Sequence, residues 1–187
     1  MRSRLSPPVL IALALPLLLA VVVAALGITA RVQGAAGRDA PATAETGPLA
    51  LVPVDAPDAA GPQCAALLAG LPATLPGDGG ALAPRPVADP APPGARAWAA
   101  APRPVVLRCG LTRPAELAPD SALLEVNGVR WLQLTDPAPN PEVVSYVAVD
   151  RPVYVVLTLP SDAGSGPLQA VADAVRTTLP ATPVAVR

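Results

Sequence analysis

The chain has 187 residues and a formal net charge of −1, and its 13 basic residues are all Arg. It holds 27 Pro, two Cys, two Trp and two Tyr, but no Phe and no His. Without His or Lys there is no Ser-His-Asp or Cys-His nucleophile, no His-ligated metal, no Schiff-base lysine and no phosphate-loop lysine, and without a basic run there is no electrostatic footprint for nucleic acid.

Two Cys also fall short of a four-thiolate zinc site. Carboxylate chemistry, carboxylate-bound metals or no catalysis remain, and no motif for a cofactor or a resident metal is present.

Arg2 and Arg4 precede an uncharged apolar run from Val9 to Ala30. At 1.5 Å rise per residue, about 22 residues span roughly 33 Å, enough to cross a hydrocarbon core of about 30 Å. Pro16 is tolerable in such a helix. Basic residues ahead of the run favour a cytoplasmic tail over residues 1–8 and an extracytoplasmic remainder. The expectation is therefore a transmembrane anchor at residues 9–30, which makes the membrane the first partner. A cleaved signal peptide is the rival: its apolar core is ordinarily shorter, Ile28-Thr29-Ala30 is a poor cleavage site, and Gly34-Ala35-Ala36 is a better one but lies beyond Arg31. Both readings export the rest of the chain.

Residues 31–60 carry Gly34, Gly37, Pro41, Gly47, Pro48, Pro53 and Pro57 among scattered acids, the composition of an extended linker. The folded domain is expected over residues 61–187. Cys64, Leu67, Leu68 and Leu71 recur at helical spacing, so residues 63–71 read as a short helix closed by Pro72. Residues 76–103 read as a Pro/Gly-rich loop, and Pro104 to Leu111 as an apolar strand. Leu123 to Val126, then Asn127-Gly128, then Val129 to Leu134 predict a hairpin with a type I′ turn, setting Glu125 opposite Arg130 and Leu124 opposite Trp131. Val143 to Val149 and Val153 to Leu159 are two further strands. Ser165-Gly166-Pro167 opens a helix to about Leu179, with Leu168, Val171, Ala172, Val175 and Leu179 on its apolar face. Pro183 to Val186 is a candidate edge strand. The order predicts an α+β domain: a largely antiparallel sheet with two helices on one face, after one transmembrane helix and a Pro-rich linker.

Cys64 lies on the apolar face of its helix, and Cys109 alternates with Val105 and Leu107 on one face of its strand. In an exported domain two such Cys favour a disulfide over a redox pair or two buried thiols. Closing about 46 residues would contribute about 4 kcal/mol in the chain-entropy model.

Several segments together resemble a known family: Cys64 with Leu71-Pro72, Ala97-Trp98, Pro104-Val105-Val106-Leu107-Arg108-Cys109-Gly110, Val126-Asn127-Gly128-Val129-Arg130-Trp131-Leu132, and Asp150-Arg151-Pro152-Val153-Tyr154-Val155. They are similar to an actinobacterial family of membrane-anchored exported proteins known only as a domain of unknown function. The resemblance covers about residues 62–180. Members often carry Trp-Gly where this chain has Trp98-Ala99. The family implies a cell-envelope location and brings no activity, ligand or catalytic residue.

Arg108, Arg130 and Arg151 lie in or beside strands. Converging on one sheet face with Trp98 and Trp131, they would form a ligand-binding patch for a carboxylate or phosphate. The plainer alternative has each Arg paired locally and each Trp in the core. Asp120, Glu125, Asp136, Glu142 and Asp150 are the carboxylates a glycosidase would need to bring together. Three functions stay open: a non-catalytic binding or accessory module acting on an envelope protein or wall component, a carboxylate-dependent glycan hydrolase, and a cleaved, secreted form of the same domain.

Overall fold

The computed structural model describes residues 43–135 and 137–186, which form one compact unit. No helix among them is long and apolar enough to cross a membrane. The expected tail at 1–8, anchor at 9–30, first part of the linker and Asp136 lie outside the described residues.

Helix α1 (Pro62–Gly70) leads into a small antiparallel pair, β1 (Leu75–Gly77) and β2 (Gly80–Leu82). Then come β3 (Pro84–Arg85), β4 (Ala95–Trp98) and β5 (Val105–Leu111). The predicted hairpin is β6 (Leu123–Val126) and β7 (Val129–Thr135), followed by β8 (Val143–Ala148), β9 (Tyr154–Pro160) and α2 (Gly166–Thr178). The main sheet is seven-stranded in the order β3-β4-β5-β9-β8-β7-β6, and every neighbouring pair is antiparallel. This is the α+β class expected. The hairpin holds its predicted register, Glu125 opposite Arg130 and Leu124 opposite Trp131. Its turn has Asn127 at φ 49° and Gly128 at φ 76°, the left-handed pair a type I′ turn requires.

Strand alternation gives the sheet two buried sides. On one side Val105, Leu107, Cys109, Trp131, Val155 and Leu157 meet Cys64 and Leu67 of α1 and Leu168, Val171, Ala172 and Val175 of α2 in one cluster, so both helices serve the same face. The Cys64–Cys109 disulfide crosses this core, with Cα atoms 5.6 Å apart. The opposite face carries a smaller cluster of Leu117, Leu132, Val147 and Val149, with Tyr154, Val156 and Val184 packed against it.

Three expectations are corrected. First, residues 76–103 are more than a loop: β2 to β4 and most of β1 lie there, in pieces of two to four residues. Such pieces are too short, and too rich in Pro and Gly, for alternation to show in the sequence; pairing partners define them. Second, residues 183–186 form no strand. Pro180 and Pro183 remove backbone donors, and the segment is held instead by Thr182 N–H donating to the Asp150 carbonyl at 2.9 Å and Arg113 Nε–H donating to Ala185 O at 3.1 Å. Third, the compact unit begins at Thr43, so residues 43–60, with their linker composition, belong to it as a strap along the sheet.

The strap is fixed by side chains that composition does not reveal. Leu49 makes a parallel bridge to Val87, its N–H donating to Pro86 O at 2.8 Å while Ala88 N–H donates to Leu49 O at 2.9 Å. Arg85 donates through Nε to Gly47 O at 2.8 Å and pairs through Nη2 with Glu45 at 2.9 Å. Arg108 Nη2 donates to Val52 O at 3.0 Å, and Asp58 N–H donates to Gly110 O at 3.1 Å. Gly110, at φ 85° in an irregularity of the β5–β9 ladder, is what lets the strap come so close: a Cβ there would sit 2.3 Å from Ala59 N. Gly110→Ala should therefore cost about 3 kcal/mol, adding left-handed strain to displacement of the strap. Urea midpoints check this, and a shift below about 0.5 kcal/mol, the scale of a neutral surface change, would show that the strap contributes nothing there.

Candidate functional site

The five candidate binding residues do not meet. Trp98 and Trp131 both point into the helix-side core and are 1% and 0% exposed, so neither ring offers a face to a ligand. Trp98 Nε1–H donates to Ala73 O at 3.0 Å, whereas Trp131 Nε1–H has no partner among the described residues. Arg108 and Arg130 alternate with helix-side core residues along β5 and β7, which turns them to the other face. There β9 and β8 separate their strands, about 14 Å at ordinary strand spacing. Arg108 is half-buried under the strap, and burial lowers its pKa from the ordinary Arg value. A guanidinium stays cationic well beyond neutral pH, so this Arg pins the strap as a charge. Arg130 is exposed on β7.

Arg151 is spent internally. It is 6% exposed; Nη1 donates to the Asp150 carbonyl and Nη2 to Gly128 O, each at 2.8 Å. Asp150 Oδ1 also lies 2.8 Å from Nη1 as an ion pair, but off the line a hydrogen bond requires. Because Asp150 O receives Thr182 N–H, this one pair ties the β8–β9 connection to the β6–β7 turn and the C-terminal segment. The local-pairing alternative holds for Arg151.

The described carboxylates lie on separate elements. Asp120 is exposed between β5 and β6, Glu125 is exposed on β6, and Glu142 precedes β8 in an exposed pair with Arg103 at 2.8 Å. Asp150, the buried one, follows the far end of β8. No group of three His, Cys, Asp or Glu residues that could hold a metal occurs among the described residues.

A different feature has the form of a binding site: a groove of about 380 Å³ between the β6 side of the sheet and the start of α2. Its walls are Leu124, Val126, Val144, Tyr146, Leu159 and Leu168, with Ser161, Ser165 and Gln169 supplying polar groups. Among the described residues no carboxylate, thiol or guanidinium lines it. Ser165 stands at the α2 N-cap with its side chain making no cap hydrogen bond, and Gln169 Nε2 reaches its Oγ at 3.4 Å. The chemistry on offer is apolar burial plus a few neutral donors and acceptors, which suits binding and gives proton transfer little to work with. These residues escaped the sequence reading because they come from β6, β8, β9 and α2, which only the folded sheet brings together.

A family model described as "Protein of unknown function (DUF3515)" matches residues 11–184. No curated protein and no solved structure matches the chain.

Proposed function

Because the chain belongs to the DUF3515 family of proteins of unknown function, we propose its role from its own features: a membrane-anchored, extracytoplasmic binding or accessory module of the cell envelope, without catalysis. The single observation that carries the binding part is the uncharged groove beside β6, which can bury apolar groups but holds no acid–base pair. The apolar run at residues 9–30 and the disulfide support the location, since such bridges persist outside the reducing cytoplasm. The partner is an envelope protein or wall component.

A promiscuous biotin-labelling enzyme fused after Arg187 tests this reading in cells. Labelling should fall on envelope proteins and membrane-fraction material. Labelling confined to cytoplasmic proteins would overturn the location, and recovery in the culture medium with a new amino terminus near Ala30 or Ala36 would replace the anchor with a cleaved signal. The purified full chain should hydrolyse neither peptidoglycan nor simple glycosides. Cleavage that is lost on Asp120→Asn, Glu125→Gln or Glu142→Gln would favour the hydrolase instead.

A further inference from the structure

The two edges of the seven-stranded sheet are treated differently. An exposed strand edge presents unpaired N–H and C=O groups to any extended chain, and proteins usually blunt it. At β3 the chain does so with its own strap, whose Leu49 pairs with the backbone of Pro86 and Ala88 just beyond the strand. At β6 no described segment pairs with the outer side. The edge there carries no Pro and a single charge, Glu125.

The turn geometry identifies which groups are open. A two-residue type I′ hairpin makes the residues flanking its turn a hydrogen-bonded pair, and such pairs alternate along an antiparallel ladder. Val126–Val129 and Leu124–Trp131 are therefore bonded across β6 and β7, while Leu123 and Glu125 turn their N–H and C=O outward. The side chains divide just as cleanly. Leu124 and Val126 stand on the helix side and form one wall of the groove, while Leu123 packs toward the opposite cluster and Glu125 shares that other face.

We infer that β6 receives an extended segment of a partner polypeptide as an added strand, with apolar side chains at alternate positions seated in the adjoining groove and neutral or basic ones between them. This rests on the reading of the domain as a binding module and specifies how it binds. Three observations fix the occupant. The outward backbone groups of Leu123 and Glu125 need a partner with its own free backbone, which a strand supplies and a wall glycan does not. The groove beside them is walled mainly by apolar side chains, with Ser161, Ser165 and Gln169 as its neutral polar groups, so it takes Val, Leu or Ile at every second position. Glu125, exposed on the other face, favours Arg, Lys or a neutral residue as its new cross-strand neighbour and disfavours an acid.

The test uses the full chain in lipid nanodiscs and three synthetic decapeptides. One alternates Val with Thr and Arg, the second replaces its Val residues with Asp, and the third carries Pro at its two central positions. The readout is backbone amide exchange. The Val peptide should slow exchange at Leu123 and Glu125 by about tenfold or more, and the Asp and Pro peptides should not. Leu124→Asp, at a position that is 44% exposed, should weaken binding of the Val peptide about tenfold or more. Equal protection by the Pro peptide, or protection confined to another surface, refutes strand addition; the latter leaves the binding-module reading standing. No protection by any peptide refutes it too, while envelope labelling in cells independently decides the broader reading. If Leu123 and Glu125 are already protected in the peptide-free chain, the edge is occupied from within. Protection lost on dilution then assigns it to a second copy of the chain, protection that persists assigns it to the chain's own residues, and either result overturns the proposal.

Discussion

Replacing Cys64 or Cys109 with Ser should lower the thermal midpoint of the oxidised protein by about 8–16 °C. The sequence separation of 45 between the bridged residues corresponds to about 4 kcal/mol of unfolded-state entropy. For a domain of this size each kcal/mol moves the midpoint by about 2–4 °C. The bridge joins α1 to β5 at two positions that are 0% and 1% exposed, so a Ser hydroxyl there also lacks water. Cys64→Ala separates the two causes, because it removes the cross-link without adding a hydroxyl. Circular dichroism melts should place reduced wild type close to the Cys64→Ala variant, both well below the oxidised protein. Coincident melts of oxidised and reduced protein, or two alkylatable thiols in the native protein, would refute the structural role of the bridge.

Arg151→Ala should cost about 3–5 kcal/mol. Truncation leaves the Asp150 carboxylate buried without its counter-charge and strips the Gly128 carbonyl of its donor, loosening the β6–β7 turn. Removing one member of a buried pair is expensive for that reason, whereas replacing both is cheaper. The double variant Asp150→Ala, Arg151→Met should therefore recover part of the loss, and Arg151→Lys should recover less, since an ammonium cannot reproduce two forked contacts. Urea unfolding followed by tryptophan fluorescence measures all three. A single variant within about 0.5 kcal/mol of wild type, as neutral surface changes are, would return Arg151 to the pool of candidate ligand residues.

Legibility in the sequence followed the range over which each signal acts. The β6–β7 hairpin and its register were readable because Asn127-Gly128 is a local device that fixes pairing within a few residues. The faces of α1 and α2 followed from helical spacing, and the disulfide from two Cys that both point inward. Nothing local could show β2 or β3, since strands of two or three residues exist only through their partners. The strap was opaque for a related reason. Its composition is that of a linker, and its order comes from Arg85, Arg108 and Gly110, which lie far along the chain. Arg151 looked available because a guanidinium beside a strand resembles a ligand-binding group until its three contacts are known. The groove was invisible because its walls converge from four separate elements.

The strap and the disulfide together determine how the domain responds to a pull. Tension arriving from the amino-terminal side meets first the Arg85 and Arg108 contacts and the Leu49–Val87 bridge, then the Asp58–Gly110 bond. Beyond these it reaches Cys64, whose covalent partner Cys109 lies in β5. The load thus passes straight to an interior strand bonded on both sides, to β4 and to β9, instead of to an edge that could be peeled one pair at a time. While the bridge is closed, residues 65–108 lie off the covalent path between Cys64 and Cys109 and take load only through their non-covalent contacts. Forced unfolding is governed by the rate of barrier crossing, so oxidation should lengthen the domain's lifetime under load. Reduction would reroute the same force through α1 and the strands of residues 75–98, each only two to four residues long.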